Sequence, residues 1–303
     1  MDGVRYREVT VKSALTRVVG MPYFSWSLNP YKGCAHACTY CYAREYHAKM
    51  GRDTGTGFDR EVDVKINFVD VLRAELKRLR LRDTAALGTG TDPYQPCEGR
   101  YRLSRGALEV LCESPLPLVV ITKGSLIVRD IDLLARLSRL VAVRVCLSIP
   151  TIDTSVSRRA EPEAAPPRAR LEAVRRLRAA GIDAGVLAGP VLPGLTDDDA
   201  SLDAVAAAAQ ANDASFFHIR PLKLDPAVRP HYFKMLEADF PALLPDTKAR
   251  FAGRVNPERS YVDALDRRVT TIQARHGFTE ERHARERGTP APAPAPDQLR
   301  LAI

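Results

Sequence analysis

From about residue 68 to residue 220 the chain repeats one unit: an amphipathic stretch of helical period, then a short apolar run rich in Val, Ile and Leu. Val69, Leu72, Leu76 and Leu79 mark a first helical face ahead of Ala85–Leu87, and Leu108 and Leu111 a second ahead of Leu118–Ile121. Ile131, Leu134 and Leu137 mark a third ahead of Val141–Ile149. Leu171, Val174 and Leu177 mark a fourth, ended by Gly181 in the left-handed cap position before Ile182–Ala188. A fifth is predicted to open at Thr196, with Asp199 completing a loose capping box, and to run through an Ala-rich segment to Phe216–Ile219. An extended segment at Phe24–Leu28 brings the count to six strands, each but the last followed by a helix. That is an α/β class with a parallel sheet, either open and doubly wound or a partial (βα)6 TIM-like barrel. In both, chemistry gathers in the loops at the carboxyl ends of the strands.

Past Pro221 the pattern changes to charged helical segments, Tyr232–Ala238 and Ser260–Arg287, which fit a helical C-terminal extension packed on the array. Residues 289–296 then alternate Pro and Ala, a composition that forms neither helix nor ladder and predicts a disordered, extended tail. The expected organisation is an N-terminal segment (1–23), the α/β core (24–225), the helical extension (226–288) and the linker with its terminal peptide (289–303).

Composition narrows this. No uncharged apolar run reaches a membrane-spanning length and the start lacks the apolar region of a secretory signal, so a soluble, cytoplasmic protein with no membrane partner is expected. Six cysteines in 303 residues are too few for a disulfide scaffold and point to metal or catalytic thiols. The formal charge of +8 suits nucleic acid but also suits many Arg-rich proteins. Basic residues in 73–82, 168–178 and 267–287 are interleaved with acids and read as solvated helix faces. Arg100, Arg102, Arg105, Arg220 and Lys223 follow strand ends, at the rim where a phosphate backbone would approach.

The chemical signal is the segment from Asn29 to Cys41 (NPYKGCAHACTYC), with Cys34, Cys38 and Cys41 in the loop after the first strand. Three thiolates so close can converge on one polynuclear site; a 4Fe-4S cluster ordinarily takes four, so three leave one iron open to a non-protein ligand. Zinc held by the same cysteines with His36 is an alternative, although structural zinc sites usually split their ligands into two separated pairs. On that reading His36 is a ligand; otherwise it is a solvent-facing or hydrogen-bonding loop residue.

The spacing, with Tyr40 before the last cysteine, resembles the radical S-adenosyl-L-methionine (SAM) superfamily, whose partial (βα)6 barrel matches the six units. The resemblance implies that Cys34, Cys38 and Cys41 hold a 4Fe-4S cluster, that the methionine end of SAM chelates the fourth iron, and that Tyr40 contacts adenine. It implies reductive cleavage of SAM to a 5′-deoxyadenosyl radical that abstracts hydrogen from a substrate, with an electron donor as partner. Thr91 or Asp92, in Gly88–Asp92 after the second strand, would meet the SAM amino group; Lys123 would pair with its carboxylate; Ser148 would reach the ribose or the carboxylate.

Within the superfamily, Asn29–Arg44, Thr91–Pro96 (TDPYQP), Ile121–Ser125 (ITKGS) and Pro190–Leu195 (PVLPGL) are similar to the branch of spore photoproduct lyase and the DNA repair photolyase-like proteins. That implies a DNA lesion or modified nucleobase as substrate. The branch's hydrogen-donating cysteine has no counterpart in Leu87–Asp92; Cys97, a little further on, is the candidate donor, with a small apolar loop residue as the other reading. Cys112 and Cys146 are expected in the core. The end of the chain resembles the peptide with which bacterial repair proteins dock on the sliding clamp, with Gln298 as anchor and Leu299, Leu301 and Ile303 as apolar contacts. Two other readings stand beside this one: a radical SAM enzyme modifying a protein or small molecule, and a non-catalytic metal-binding interaction module.

Overall fold

The computed structural model describes residues 3–79, 81 and 83–278. The predicted linker, the clamp-type peptide of Gln298, Leu299, Leu301 and Ile303, and the end of the extension lie outside the described residues. The strands are β1 (Arg5–Val9), β2 (Leu15–Arg17), β3 (Trp26–Leu28), β4 (Tyr31–Lys32), β5 (Glu61–Lys65), β6 (Ala85–Leu87), β7 (Leu118–Thr122), β8 (Val143–Ser148), β9 (Asp183–Val191) and β10 (Phe217–Pro221). The helices are α1 (Arg44–Lys49), α2 (Thr56–Asp59), α3 (Phe68–Leu79), α4 (Glu98–Tyr101), α5 (Leu103–Glu113), α6 (Ile131–Ser138), α7 (Thr154–Ala160), α8 (Pro167–Ala179), α9 (Asp199–Ala211), α10 (Arg229–Asp239), α11 (Leu244–Arg250) and α12 (Arg259–Arg275).

The six predicted strands are all present and lie in chain order: the main sheet runs β10-β9-β8-β7-β6-β3, all parallel, with β2 antiparallel on the β3 edge. Strand residues alternate between faces. Val120, Val145, Leu147, Val186, Ala188 and Ile219 share one hydrophobic core with the apolar stripes of α3, α5, α6, α8, α9 and α12, so these helices cover the same face. A doubly wound sheet reverses its strand order and splits its helices between two faces; sequential order with helices on one face is the partial-barrel alternative. Among the described residues no ladder joins β10 to β2. Ile121, Arg144, Cys146, Ser148, Leu187 and His218 fall by alternation on the opposite, inner face. Cys146 is therefore not in the core as expected: it is half-buried on the inner face, because Val145 and Leu147 take the outward positions.

Local signals explain the helix ends. Gly181 has φ +77°, as its cap position requires. The α9 cap is Asp198, whose carboxylate accepts the Ser201 N–H at 2.9 Å; Thr196 instead accepts the Leu192 N–H at 2.8 Å, which corrects the capping box predicted at Thr196 and Asp199. The second charged helix stops at Arg275, followed by Gly277 at φ +72°.

The sequence pattern did not reveal a second, three-stranded sheet, β1-β5-β4, in which β5 pairs parallel with β1 and antiparallel with β4. It matters for the site, because the cysteine loop leaves directly from β4. The C-terminal helices close over that loop: Tyr232, Met235 and Leu236 of α10 share a core with Cys38, Tyr40 and Leu192. No helix among the described residues is long and apolar enough to cross a membrane.

Candidate active site

The loop 33–41 is held by residues distant in sequence. Gly33 sits at φ +83°, where a Cβ would come within 2.8 Å of the Glu61 carbonyl, so only glycine fits. The Cys34 N–H donates to Phe58 O at 3.0 Å, the Ala35 N–H to Gln95 Oε1 at 3.0 Å, and the Thr39 N–H to Ala160 O at 2.9 Å. Buried Arg44 donates to Cys38 O at 2.9 Å and Asp59 at 2.8 Å, to Thr54 O at 2.5 Å, and stacks over the Phe58 ring. The shape of the loop is thus set by the protein's own hydrogen bonds.

Cys34 and Cys38 are buried, Cys41 half-buried, and none forms a disulfide. Burial pushes all three thiols up, and Cys41 packs against the apolar cluster of Cys38 on one side and that of Cys34 on the other, so the three are neighbours. Lys123 and Arg170 pull Cys38 back down, and Arg44 does the same for Cys41. Among the described residues, no three His, Cys, Asp or Glu side chains converge as ligands of a single ion would. A cluster would ask for several thiolates rather than ligands of one ion, and three neighbouring thiols on a hydrogen-bonded loop with cations beside them would be able to hold it. Loading it must release their protons. His36, the fourth ligand in the zinc reading, is buried rather than solvent-facing, with Nδ1 3.3 Å from Asp92 Oδ2 in the geometry of an ion pair rather than a linear hydrogen bond.

The other predicted residues lie at successive strand ends. The Thr91 hydroxyl donates to Gly33 O at 2.6 Å and accepts from Gln95 Nε2 at 2.8 Å. Asp92 accepts the N–H of Lys123 (2.7 Å), the N–H of Tyr94 (2.9 Å) and the Thr122 hydroxyl (2.6 Å). Burial alone would raise its carboxyl, but His36 and these donors outweigh it and bring it to about 2. Thus Thr91 and Asp92 first of all bind the β6 loop to the cysteine loop and to β7. Lys123 donates through Nζ to Ser148 Oγ at 2.9 Å, which donates to Gly189 O at 2.8 Å, so the ends of β7, β8 and β9 are joined. The Lys123 ammonium also lies 5.6 Å above the Tyr40 ring.

Cys97 is not brought to these thiols. It packs with Tyr31, Val62, Val64 and Leu103 in the core of the small sheet, and burial with Glu98 beside it pushes its thiol up to about 12. That is the position of the small apolar residue. The predicted rim cations are partly engaged: Arg105 is tied to Asp130 and Asp132 at 2.9 Å each, and Lys223 faces Asp225 at 3.8 Å.

Two residues escaped the sequence reading. The Tyr40 hydroxyl donates to Glu161, just past α7, and Glu161 Oε2 lies 2.5 Å from Arg170 of α8. Burial would raise the Glu161 carboxyl, but Arg170 and Lys123 hold it below the usual range. Arg170 sits in a run read as a solvated face, yet it is fully buried. The signal was present: positions 170, 174 and 177 fall on one helical stripe, with Val174 and Leu177 facing the sheet.

Residues 28–204, more than half of the chain, match the Radical SAM superfamily model. An uncharacterized protein of Mycobacterium tuberculosis, Rv2578c, is 38% identical over 279 residues, covering 91% of this chain and 82% of that one. The radical SAM Nalpha-GlyT isomerase of Pseudomonas phage M6 is 26% identical over 181 residues, covering 59% of this chain and 36% of that one. A solved structure of a spore photoproduct lyase variant with bound AdoMet and dinucleoside spore photoproduct has the same fold, with a TM-score of 0.68 at 15% identity, covering 89% of this chain and 79% of that one. The cysteine loop, the in-order parallel sheet that carries it and the family match lead to one assignment: the chain belongs to the radical SAM superfamily, enzymes that work with a 4Fe-4S cluster and SAM.

Proposed function

We propose that this radical SAM enzyme acts on nucleic acid, with a DNA lesion or a modified nucleobase as substrate. The observation that carries the reading is the likeness of fold, over 89% of the chain, to spore photoproduct lyase, one solved form of which holds a dinucleoside spore photoproduct. The order of NPYKGCAHACTYCYAR, TDPYQP, ITKGS and PVLPGL along the same barrel, and the charge of +8, support it.

In this reading Cys34, Cys38 and Cys41 hold the cluster, with Arg44 and Gly33 fixing the loop. Bound together, the cluster and SAM supply reductive cleavage of SAM and hydrogen abstraction from the substrate. Tyr40 lies against adenine, Lys123 meets the SAM carboxylate as a point charge, Ser148 reaches the ribose or the same carboxylate, and Asp92, ionised above about pH 2, faces the amino group. A one-electron donor protein is required as partner. On sequence grounds, Gln298, Leu299, Leu301 and Ile303 dock on a sliding clamp, and deletion of 298–303 should abolish that binding; undiminished affinity removes the clamp from the account.

The test is anaerobic reconstitution followed by a substrate screen. Cleavage of SAM to 5′-deoxyadenosine, lost in Cys38→Ala, is expected, with turnover on irradiated or modified DNA and binding that weakens steeply with salt. The engagement of Arg105 by acids favours a second reading, a small-molecule or protein substrate; turnover on free metabolites or peptides and none on DNA would establish it instead.

A further inference from the structure

A fully buried guanidinium is costly unless fixed acceptors meet its N–H groups. Arg170 has two of them, Nε donating to Ala165 O at 2.5 Å and Nη1 to Ser148 O at 2.8 Å, while Nη2 makes no hydrogen bond and is met by the charge of Glu161, whose Oε2 lies 2.5 Å away. Glu161, itself buried, accepts the Tyr40 hydroxyl on Oε1, and Lys123 Nζ lies 3.8 Å from the same oxygen. Lys123 closes the circuit through its 2.9 Å bond to Ser148 Oγ and its place above the Tyr40 ring. A stabilising ion pair would tie two helices together. This one is tied to the cysteine loop, the end of β7 and the end of β8, and to the three side chains there that face SAM in the functional reading. An ammonium has three N–H groups; with one on Ser148 and one toward Glu161, the third remains for an incoming carboxylate.

We propose that Glu161 and Arg170 are positioning residues that set Tyr40, Lys123 and Ser148 in the arrangement that receives SAM, an inference that rests on the functional reading above. Glu161 is the carboxylate that lies against both Lys123 and Arg170. Without its charge, Lys123 and Arg170 face each other as like charges, and Lys123 leaves the Tyr40 ring.

The experiment compares the wild type, Glu161→Gln, Arg170→Lys, Glu161→Asp and Tyr40→Phe after anaerobic reconstitution. It measures iron and sulfide per chain, the Kd for SAM, and the change SAM causes in the EPR spectrum of the reduced cluster. Wild-type iron content with SAM affinity lowered at least tenfold is expected in Glu161→Gln and Arg170→Lys, with partial recovery in Glu161→Asp. Tyr40→Phe, which removes one hydroxyl and leaves the ion pair, should lose at least threefold in affinity. Wild-type affinity in Tyr40→Phe overturns the proposal even if the charge variants fail to fold, as does a wild-type EPR response in Glu161→Gln. A wild type without a cluster, or with one that ignores SAM, brings down the functional reading and this proposal with it; variants that respond like a responsive wild type remove the positioning role alone.

Discussion

The Thr91 hydroxyl donates a 2.6 Å hydrogen bond to the carbonyl of Gly33, so the loop after β6 grips the residue from which the cysteine loop starts. Gln95 Nε2 approaches the same carbonyl at 3.2 Å, a weaker second donor. Thr91→Val keeps the shape and removes the stronger donor, and should cost about 1 kcal/mol, the low end for a buried acceptor left short. Chemical denaturation of the apoprotein gives that figure, and iron retained through gel filtration should fall in parallel. Thr91→Ser should restore both; equal iron retention in the Val variant would show that the clamp does not serve the loop.

Gly33→Ala should be far more damaging. Its φ of +83° disfavours any Cβ, and the atom 2.8 Å away is the backbone carbonyl of Glu61, which cannot rotate aside. A loss of about 2 kcal/mol or more is expected, read as a lower melting temperature. Gly99→Ala, with nothing within 4 Å of the new atom, is the control and should melt with the wild type.

Removing Arg44 strands a carboxylate. Arg44→Met leaves Asp59 half-buried without its cation and Cys38 O without its donor, and should destabilise by about 3–5 kcal/mol. The double variant Arg44→Met, Asp59→Asn removes the unpaired charge and should recover part of the loss. A double variant no better than the single one would place the cost in the cysteine-loop carbonyl instead.

How far these features could be read from the sequence differed by element. The strands and the long helices between residues 85 and 221 were legible because each such helix carries an apolar stripe and each strand a dense apolar run, whereas the short helices α4 (EGRY) and α7 (TSVSRRA) carry no such stripe and went unread. The small sheet was not, since β1 reads RYREV and β4 is two residues long; neither alternates cleanly, and both depend on β5 for partners. The cysteine spacing made the thiols plain, and the residues at successive strand ends were pointed to by the resemblance to the superfamily. Arg170 was hidden by composition: four other arginines within ten residues made its run look solvated, and only its register with Val174 and Leu177 separates it from them.

Lys65 provides a pH test away from the thiols. Its Nζ donates to Asn29 O at 2.6 Å, but burial and neighbouring Lys32 push the ammonium down from 10.5 to about 8. The folded group is the lowered one, so between about 8 and 10.5 the unfolded chain binds the extra proton, and this group's contribution to stability rises with pH. Lys65→Met should therefore be more stable than the wild type at pH 7, and the gap should close by pH 10. Urea midpoints at the two pH values give the answer; a gap of constant size rules the assignment out.

The anchors of the cysteine loop also carry an order in time. Gly33, Cys34, Ala35 and Thr39 are hydrogen-bonded to Thr91, Phe58, Gln95 and Ala160, all of which are synthesised after the cysteines themselves. A chain emerging from the ribosome presents its three thiols long before it can shape them, and the last of those partners, Ala160, appears only after β8. Iron and sulfide delivered early would meet a peptide without these anchors, so a site of this shape requires the strands and loops that follow it in the chain.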